Sequence, residues 1–315
     1  MEGHSKWVNA LAVSRDGQII ASGDYGGEVI AWHGESGESL TQPIKAHSEG
    51  IDTVDFSPDG AVLAIGSGYE VNFWCTKTWQ MQGEPIDCDS FCVRYSPSGE
   101  LAIAATEDIR IYNPGTRERV ASFKGHASFN MSLAWTPDGT RLLSGGDQDD
   151  PTIQEWDALT WQQVGHPWEG HTDSIYAIAI HPAGTLVASA SHDMHVRLWQ
   201  LSDQHTIAIF KNSSPLYSIT FSVEGRHILS GGADNKISEL EWEIPNDAHS
   251  KASTDSHNVI PASVVQILAI TTARDAFVTG DLSTAEELLT QDIHTDASNY
   301  TSYAHRSFVM ARKHS

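Results

Sequence analysis

Residues 181–199, HPAGTLVASASHDMHVRLW, join a tight turn, an apolar run ending in small residues, and a second run that closes on a tryptophan. The pattern recurs on both sides of this stretch. Turns of the same kind stand at Ser14–Gly17 (SRDG), Ser57–Gly60 (SPDG), Ser96–Gly99 (SPSG), Thr136–Gly139 (TPDG) and Ser222–Gly225 (SVEG). The six turn glycines lie 43, 39, 40, 45 and 41 residues apart, and an aromatic follows each at Trp32, Trp74, Tyr112, Trp156, Trp199 and Trp242.

Alignment on the turns places Leu11, Val54, Val93, Leu133, Ile178 and Ile219 in one column. Val13, Phe56, Tyr95, Trp135, Ile180 and Phe221 follow two residues later. Apolar residues two apart mark one buried face of a strand. The residues preceding the first column, Ala10, Thr53, Cys92, Ser132, Ala177 and Ser218, are small, as a crowded strand near an axis requires. A second strand follows each turn, a third ends on the aromatic, and polar segments such as Leu40–Lys45 and Val120–Lys124 supply an outer strand. A period of about 40–45 residues with four short strands predicts an all-β propeller of about six antiparallel blades, with seven as the alternative. Each blade would be covered only by its neighbours.

Gly-His stands at Gly3-His4, Gly125-His126 and Gly170-His171, with Ala46-His47 as a variant, and Trp-Asp at Trp156-Asp157. On these residues the chain resembles the WD-repeat β-propeller family. The resemblance implies a buried hydrogen-bond chain through Trp156, Ser144, His126 and Asp150, and another through Trp199, Ser189, His171 and Asp193. Elsewhere the pattern is incomplete: Gly26 and Gly68 stand where the Asp belongs, and repeat three has Asp87-Cys88-Asp89 and Tyr112. Repeat six has Asn212-Ser213, and Asp234 suggests that Leu240 holds the Trp place. Blades four and five are therefore expected to be the most rigid. A catalytic triad occurs once beside a cleft, whereas this His, Ser and Asp set repeats with the structural period, so the reading is structural.

Composition narrows the function. A chain of 315 residues largely filled by repeats leaves little room for a separate catalytic domain. Its 19 basic and 41 acidic residues give a net charge of −22. That balance argues against nucleic acid or an anionic membrane as partner and is compatible with a basic one. Cys75, Cys88 and Cys92 are too few for a disulfide framework and lack zinc-site spacing. The Asp147–Asp150 turn lacks the spaced carboxylates of a calcium loop. With no leader-like start and no long apolar run, the expectation is a soluble, cytoplasmic protein, the nucleus remaining open, without metal or cofactor. Asp55 and Arg94, charged among small and apolar inner-strand residues, read as an ion pair between blades.

The resemblance further implies a non-catalytic interaction platform that docks a protein or peptide on the face carrying the Gly-His loops. Two columns open onto that face: Trp7, Gly50, Asp89, Phe129, Ser174 and Pro215, then Asn9, Asp52, Phe91, Met131, Tyr176 and Tyr217. Aromatics bury much area at small entropic cost. The candidate binding residues are Trp7, Phe129, Met131, Tyr176 and Tyr217, with Asp52 and Asp89 as an acidic flank. The alternatives are a sensor module of a larger signalling protein and a propeller enzyme with a channel site.

The propeller is assigned to residues 1–244, a polar linker to 245–261 and an α-helical tail to 262–315. In the tail Val264, Ile267, Leu268, Ala273, Ala276 and Phe277 keep helical spacing. Ala276-Phe277, Gly280-Asp281-Leu282 and Ala285 to Leu289 resemble the junction of a tetratricopeptide repeat, followed by an incomplete second unit from Tyr303. No strand precedes Gly3 to complete the last blade. An open ring would leave unpaired edges that favour self-association.

Overall fold

The computed structural model describes residues 3–222 and 224–241. Blade one is built from β1 (Val8–Val13), β2 (Ile19–Asp24), β3 (Glu28–His33) and β4 (Ile44–Lys45). Blade two has β5 (Ile51–Phe56), β6 (Val62–Ser67) and β7 (Glu70–Cys75), with β8 (Gln80–Met81) and β9 (Ile86–Asp87) sharing the outer edge of β7. Blade three has β10 (Cys92–Tyr95), β11 (Leu101–Ala104), β12 (Ile109–Tyr112) and β13 (Arg119–Phe123). Blade four has β14 (Asn130–Trp135), β15 (Arg141–Gly146) and β16 (Ile153–Asp157), its outer edge reduced to the bridges Ile153↔Trp168 and Trp156↔Gln163. Blade five has β17 (Ile175–Ile180), β18 (Leu186–Ser191), β19 (His195–Gln200) and β20 (Thr206–Lys211). Blade six has β21 (Leu216–Phe221), β22 (His227–Gly232) and β23 (Ile237–Glu241).

The described residues thus form an all-β propeller of six antiparallel blades. The four-stranded expectation needs correction at the outer edge. In blade one only Ile44–Lys45 of the expected Leu40–Lys45 strand pairs in a regular ladder, and blade four replaces its outer strand by single bridges. Pro43 and Pro167 stand within these segments and have no backbone N–H to give to a ladder. Trp242, the linker and the tetratricopeptide-like tail lie outside the described residues. Among the described residues no helix is long and apolar enough to cross a membrane.

The turns owe their shape to their glycines. Gly17, Gly60, Gly139, Gly184 and Gly225 have φ between 68° and 74°, and Gly99 has 102°, a region that costs other residues strain. Ser14, Ser57 and Thr136 donate to Asp16, Asp59 and Asp138 across the same turns, each at 2.6 Å.

Inner strands stack in the order β1, β5, β10, β14, β17, β21. Ile51, Val54 and Phe56 of blade two are buried against Ala10, Ala21 and Val29 of blade one. A Cβ on Gly23 would fall 2.6 Å from Ile51, and one on Gly145 would fall 2.9 Å from Ile175, so glycine sets the spacing at both seams. The close packing between successive inner strands is not repeated between β21 and β1.

Within each blade the ladder fixes the aromatic. Ile20 pairs with Trp32, Leu63 with Trp74, Leu101 with Tyr112, Leu142 with Trp156 and Val187 with Trp199. Ile228 pairs with Leu240, which therefore occupies the tryptophan place of blade six. The serine two residues after Ile228 is Ser230, whose hydroxyl is buried without a hydrogen-bond partner. Leu240→Trp should supply the missing indole N–H and stabilise the protein by about 1 kcal/mol. Thermal melts check this: the gain should vanish when Leu240→Trp is combined with Ser230→Ala.

Candidate functional site

Three blades carry a continuous buried relay. In blade four Trp156 Nε1 donates to Ser144 Oγ (2.9 Å), Ser144 meets His126 Nε2 (3.0 Å), and His126 Nδ1 meets Asp150 Oδ2 (3.1 Å). In blade five Trp199, Ser189, His171 and Asp193 repeat it at 2.9, 2.7 and 2.8 Å. Blade one has the same relay through Trp32, Ser22, His4 and Asp24, at 2.7, 2.7 and 2.9 Å. This corrects the expectation that Gly26 leaves blade one incomplete. The carboxylate comes from Asp24, two residues earlier at the end of β2, and the backbone N–H groups of Gly26 and Glu28 hold it there.

The remaining blades show what is lost. In blade two Ile65 replaces the serine, Trp74 Nε1 is buried without a partner, and His47 Nε2 turns to the Ile65 carbonyl oxygen at 3.0 Å. Blade six keeps Ser230, but Leu240 holds the tryptophan place and among the described residues no indole reaches the hydroxyl. Ser144 and Ser189 are fully buried, with the hydroxyl engaged on both sides. This geometry ties strands together and presents no nucleophile to solvent.

The candidate binding residues gather where the inner strands begin. The pairing register slips between Val8 and Ala10, Ile51 and Thr53, Asn130 and Ser132, Ile175 and Ala177, and Leu216 and Ser218. One residue is left over at each slip: Asn9, Asp52, Met131, Tyr176 and Tyr217. These are β-bulges, which free a side chain from the alternation of its strand. Tyr176 and Tyr217 meet edge to face at 5.2 Å, and His192 lies 6.0 and 6.4 Å from the two rings. His192 is held by Asp173 at 3.0 Å. Phe91 and Phe129 meet at 5.5 Å. Trp7 is 83% exposed, Tyr217 48% and Phe129 39%, whereas Met131 is half-buried. Asp89 is engaged by the Thr106 backbone N–H and hydroxyl, so its carboxylate braces its own loop.

Sequence reasoning missed a cleft of about 280 Å³ between blades one and two. Tyr25 and Tyr69, exposed at the turns after β2 and β6, flank it, and Glu49 and Asp52 supply its charge. Gly50 lies against the Tyr25 ring. Asp52 is open to water on one side and crowded by protein on the other, and the lost hydration raises its carboxyl above the ordinary range. Lys6 and Lys45 approach Gly26, which lines the cleft.

The acidic turn of blade four is engaged internally. Asp150 bonds His126 and Thr152, and Asp147 accepts from the Asp149 backbone. The expected Asp55–Arg94 contact takes a different form. Asp55 accepts the Tyr95 backbone N–H at 2.7 Å, while Arg94 donates to the Val93 carbonyl at 2.7 Å. Cys88 is a buried free thiol pushed up to about 11, chiefly by burial.

Against known proteins, a family model described as "WD domain, G-beta repeat" matches residues 1–33, 38–75, 117–157, 162–200 and 204–238. The chain belongs to the WD-repeat family. The unmatched stretch between 75 and 117 includes most of blade three, where Tyr112 replaces tryptophan, yet its strands form the same sheet. The chain is 23% identical over 249 residues to the serine-threonine kinase receptor-associated protein of Gallus gallus, covering 78% of this chain and 70% of that one. It is 24% identical to the 66 kDa stress protein of Physarum polycephalum, covering 78% of this chain but 48% of the relative. A guanine nucleotide-binding protein subunit beta of Zea mays is 23% identical, with 73% and 67% covered.

The relays make the fold sensitive to acid. Burial lowers the proton affinity of His171, more than Asp193 restores it. The unfolded chain, with His near 6.5, then binds the extra proton, so stability falls as pH drops through about 6.5. Asp150 is held near 2, first by the His126 hydrogen bond. Burial would raise Asp193, but bonds from His171 and its neighbours outweigh that and lower it. The carboxylate contribution is present above about pH 4 and is lost as pH falls towards 2. The melting temperature should hold from pH 8 to 7, decline between about 6.5 and 5, and fall steeply below about 4. Calorimetry across that range checks it, and a flat profile from pH 7 to 5 removes the His171 account.

Proposed function

We propose that this chain is a non-catalytic scaffold that docks a protein or peptide segment on the rim where its inner strands begin. The paired Tyr176 and Tyr217, with His192 against both, are the observation that carries the reading. Aromatic clusters at a rigid edge anchor partners well, because large apolar area is buried with little side-chain entropy to lose. Phe91, Phe129, Met131 and the exposed Trp7 extend the surface around the rim.

The cleft of Tyr25, Tyr69, Glu49 and Asp52 supports a basic partner. At about 280 Å³ it is at or below the size of ordinary small-molecule pockets, and it suits one side chain. Aromatic faces and carboxylates around a cation favour lysine or arginine. Asp89, already bonded to Thr106, would add charge without a direct contact.

The test uses a partner recovered by affinity purification on the intact chain. The double variant Tyr176→Ala/Tyr217→Ala should weaken that partner at least about tenfold, in the range of a binding hot spot, with the melting temperature unchanged. Equal binding by the double variant overturns the proposal. Asp52→Asn with Glu49→Gln should reduce the salt dependence of binding if the partner is basic.

A further inference from the structure

Blade one has a bare wall. Ile51 and Val54, which face the preceding blade from blade two, are 0% and 2% exposed, as are Val93 and Leu133 at 0%. Val8, Leu11 and Val13 hold the same ladder places in blade one and are 49%, 60% and 51% exposed. Towards the edge of that wall Gly3 and His4 close over Ile30 and Trp32. Towards the axis no described residue covers it.

The opposite wall belongs to blade six and differs in character. Ser218, Thr220 and Ile237 hold the places of Ala10, Ala12 and Val29. All three are exposed, Ile237 by 57%, whereas Val29 is 1% exposed against blade two. Leu229 holds the place of Ala21 on the same face, so the gap has one apolar wall and one mixed wall. An occupant must be amphipathic.

We propose that residues 242–315 of the same chain dock into this gap, with the uncharged stretch 259–270 (VIPASVVQILAI) on Val8, Leu11 and Val13. Three observations select this occupant. The described chain ends at Glu241 in β23, in the blade that borders the gap, so the segment is tethered beside it at high effective concentration. Val264, Ile267 and Leu268 give the segment an apolar stripe beside polar positions. A second copy is disfavoured because each copy carries a net charge of −22 and would repel another.

The experiment places a benzophenone photocrosslinker at Leu11 of the full chain, using a mixture of ordinary and isotopically heavy protein. Expected are cross-links from position 11 to peptides within 242–315, without mixed-isotope pairs. The same probe at Leu159, 89% exposed on the outer surface, serves as the control and should not reach the segment. Mixed-isotope cross-links would assign the wall to a second copy and overturn the proposal, as would no cross-link to 242–315. In parallel, Ile267→Asp/Leu268→Asp should raise amide exchange in Val8–Val13 several-fold and leave blade four unchanged; unaltered exchange in β1 overturns the proposal independently.

Discussion

Each blade is a thin sheet with two faces that only neighbouring blades can bury, and every other feature of the molecule answers to that constraint. The seams are apolar, with glycine admitting close approach where Ile51 meets Gly23 and Ile175 meets Gly145. A few polar ties cross them. Thr53 Oγ1 accepts the Val93 N–H, Asp55 accepts the Tyr95 N–H, and the Ser132 hydroxyl donates to the Ile175 carbonyl. Stability in such an array is a sum of blade terms and nearest-neighbour terms. Blades two to five have both faces covered, so the ends of the array carry its weakness.

The Trp, Ser, His and Asp relay is subordinate to that packing. It is complete in blades one, four and five, yet blade two keeps its shape with a buried, unpartnered Trp74 indole and blade six with an unpartnered Ser230 hydroxyl. These are the two halves of one hydrogen bond, separated into different blades. Leaving such a group unsatisfied costs about 1–3 kcal/mol. Burial of Leu63 and Ile65 in blade two, both at 1% or less, is large enough to hold the strand despite that cost. The relay tightens a blade that hydrophobic burial has already formed.

How far the sequence revealed this depends on what enforces each feature. The turns were legible because positive φ demands glycine and the preceding Asp and Ser satisfy the bend. Leu240 was legible in place of Trp242 because Asp234 keeps its spacing to the aromatic position. Asp24 was not, since a carboxylate two residues earlier reaches the same histidine from the strand end, and spacing alone does not show the direction of a side chain. The outer hairpins were also opaque. Gly37, Trp79, Arg117, Trp161 and Gln204 all take φ between 52° and 68° at one turn position, but only the first is glycine. There packing carries the strain, as where Trp161 stacks on Phe123. The Tyr25 and Tyr69 cleft joins turns of adjacent blades, a proximity that exists only after the ring has formed.

The bulges explain how one fold tolerates so varied a rim. At the paired position beside each bulge the side chain must fit a seam, and the residues are small: Ala10, Thr53, Ser132, Ala177 and Ser218. One residue earlier, outside the ladder, stand Asn9, Asp52, Met131, Tyr176 and Tyr217, an amide, a carboxylate, a thioether and two phenols. No ladder partner fixes the shape of these side chains, and contacts such as Tyr176 on Tyr217 are made at the rim, outside the seams that sustain the ring. The rim has accordingly divided into an acidic, tyrosine-flanked cleft at blades one and two and aromatic pairs at blades three to six. On the proposed scaffold reading, a surface with two chemistries spread around a rigid ring would call for an extended partner that carries a cation at one end and apolar side chains along the other.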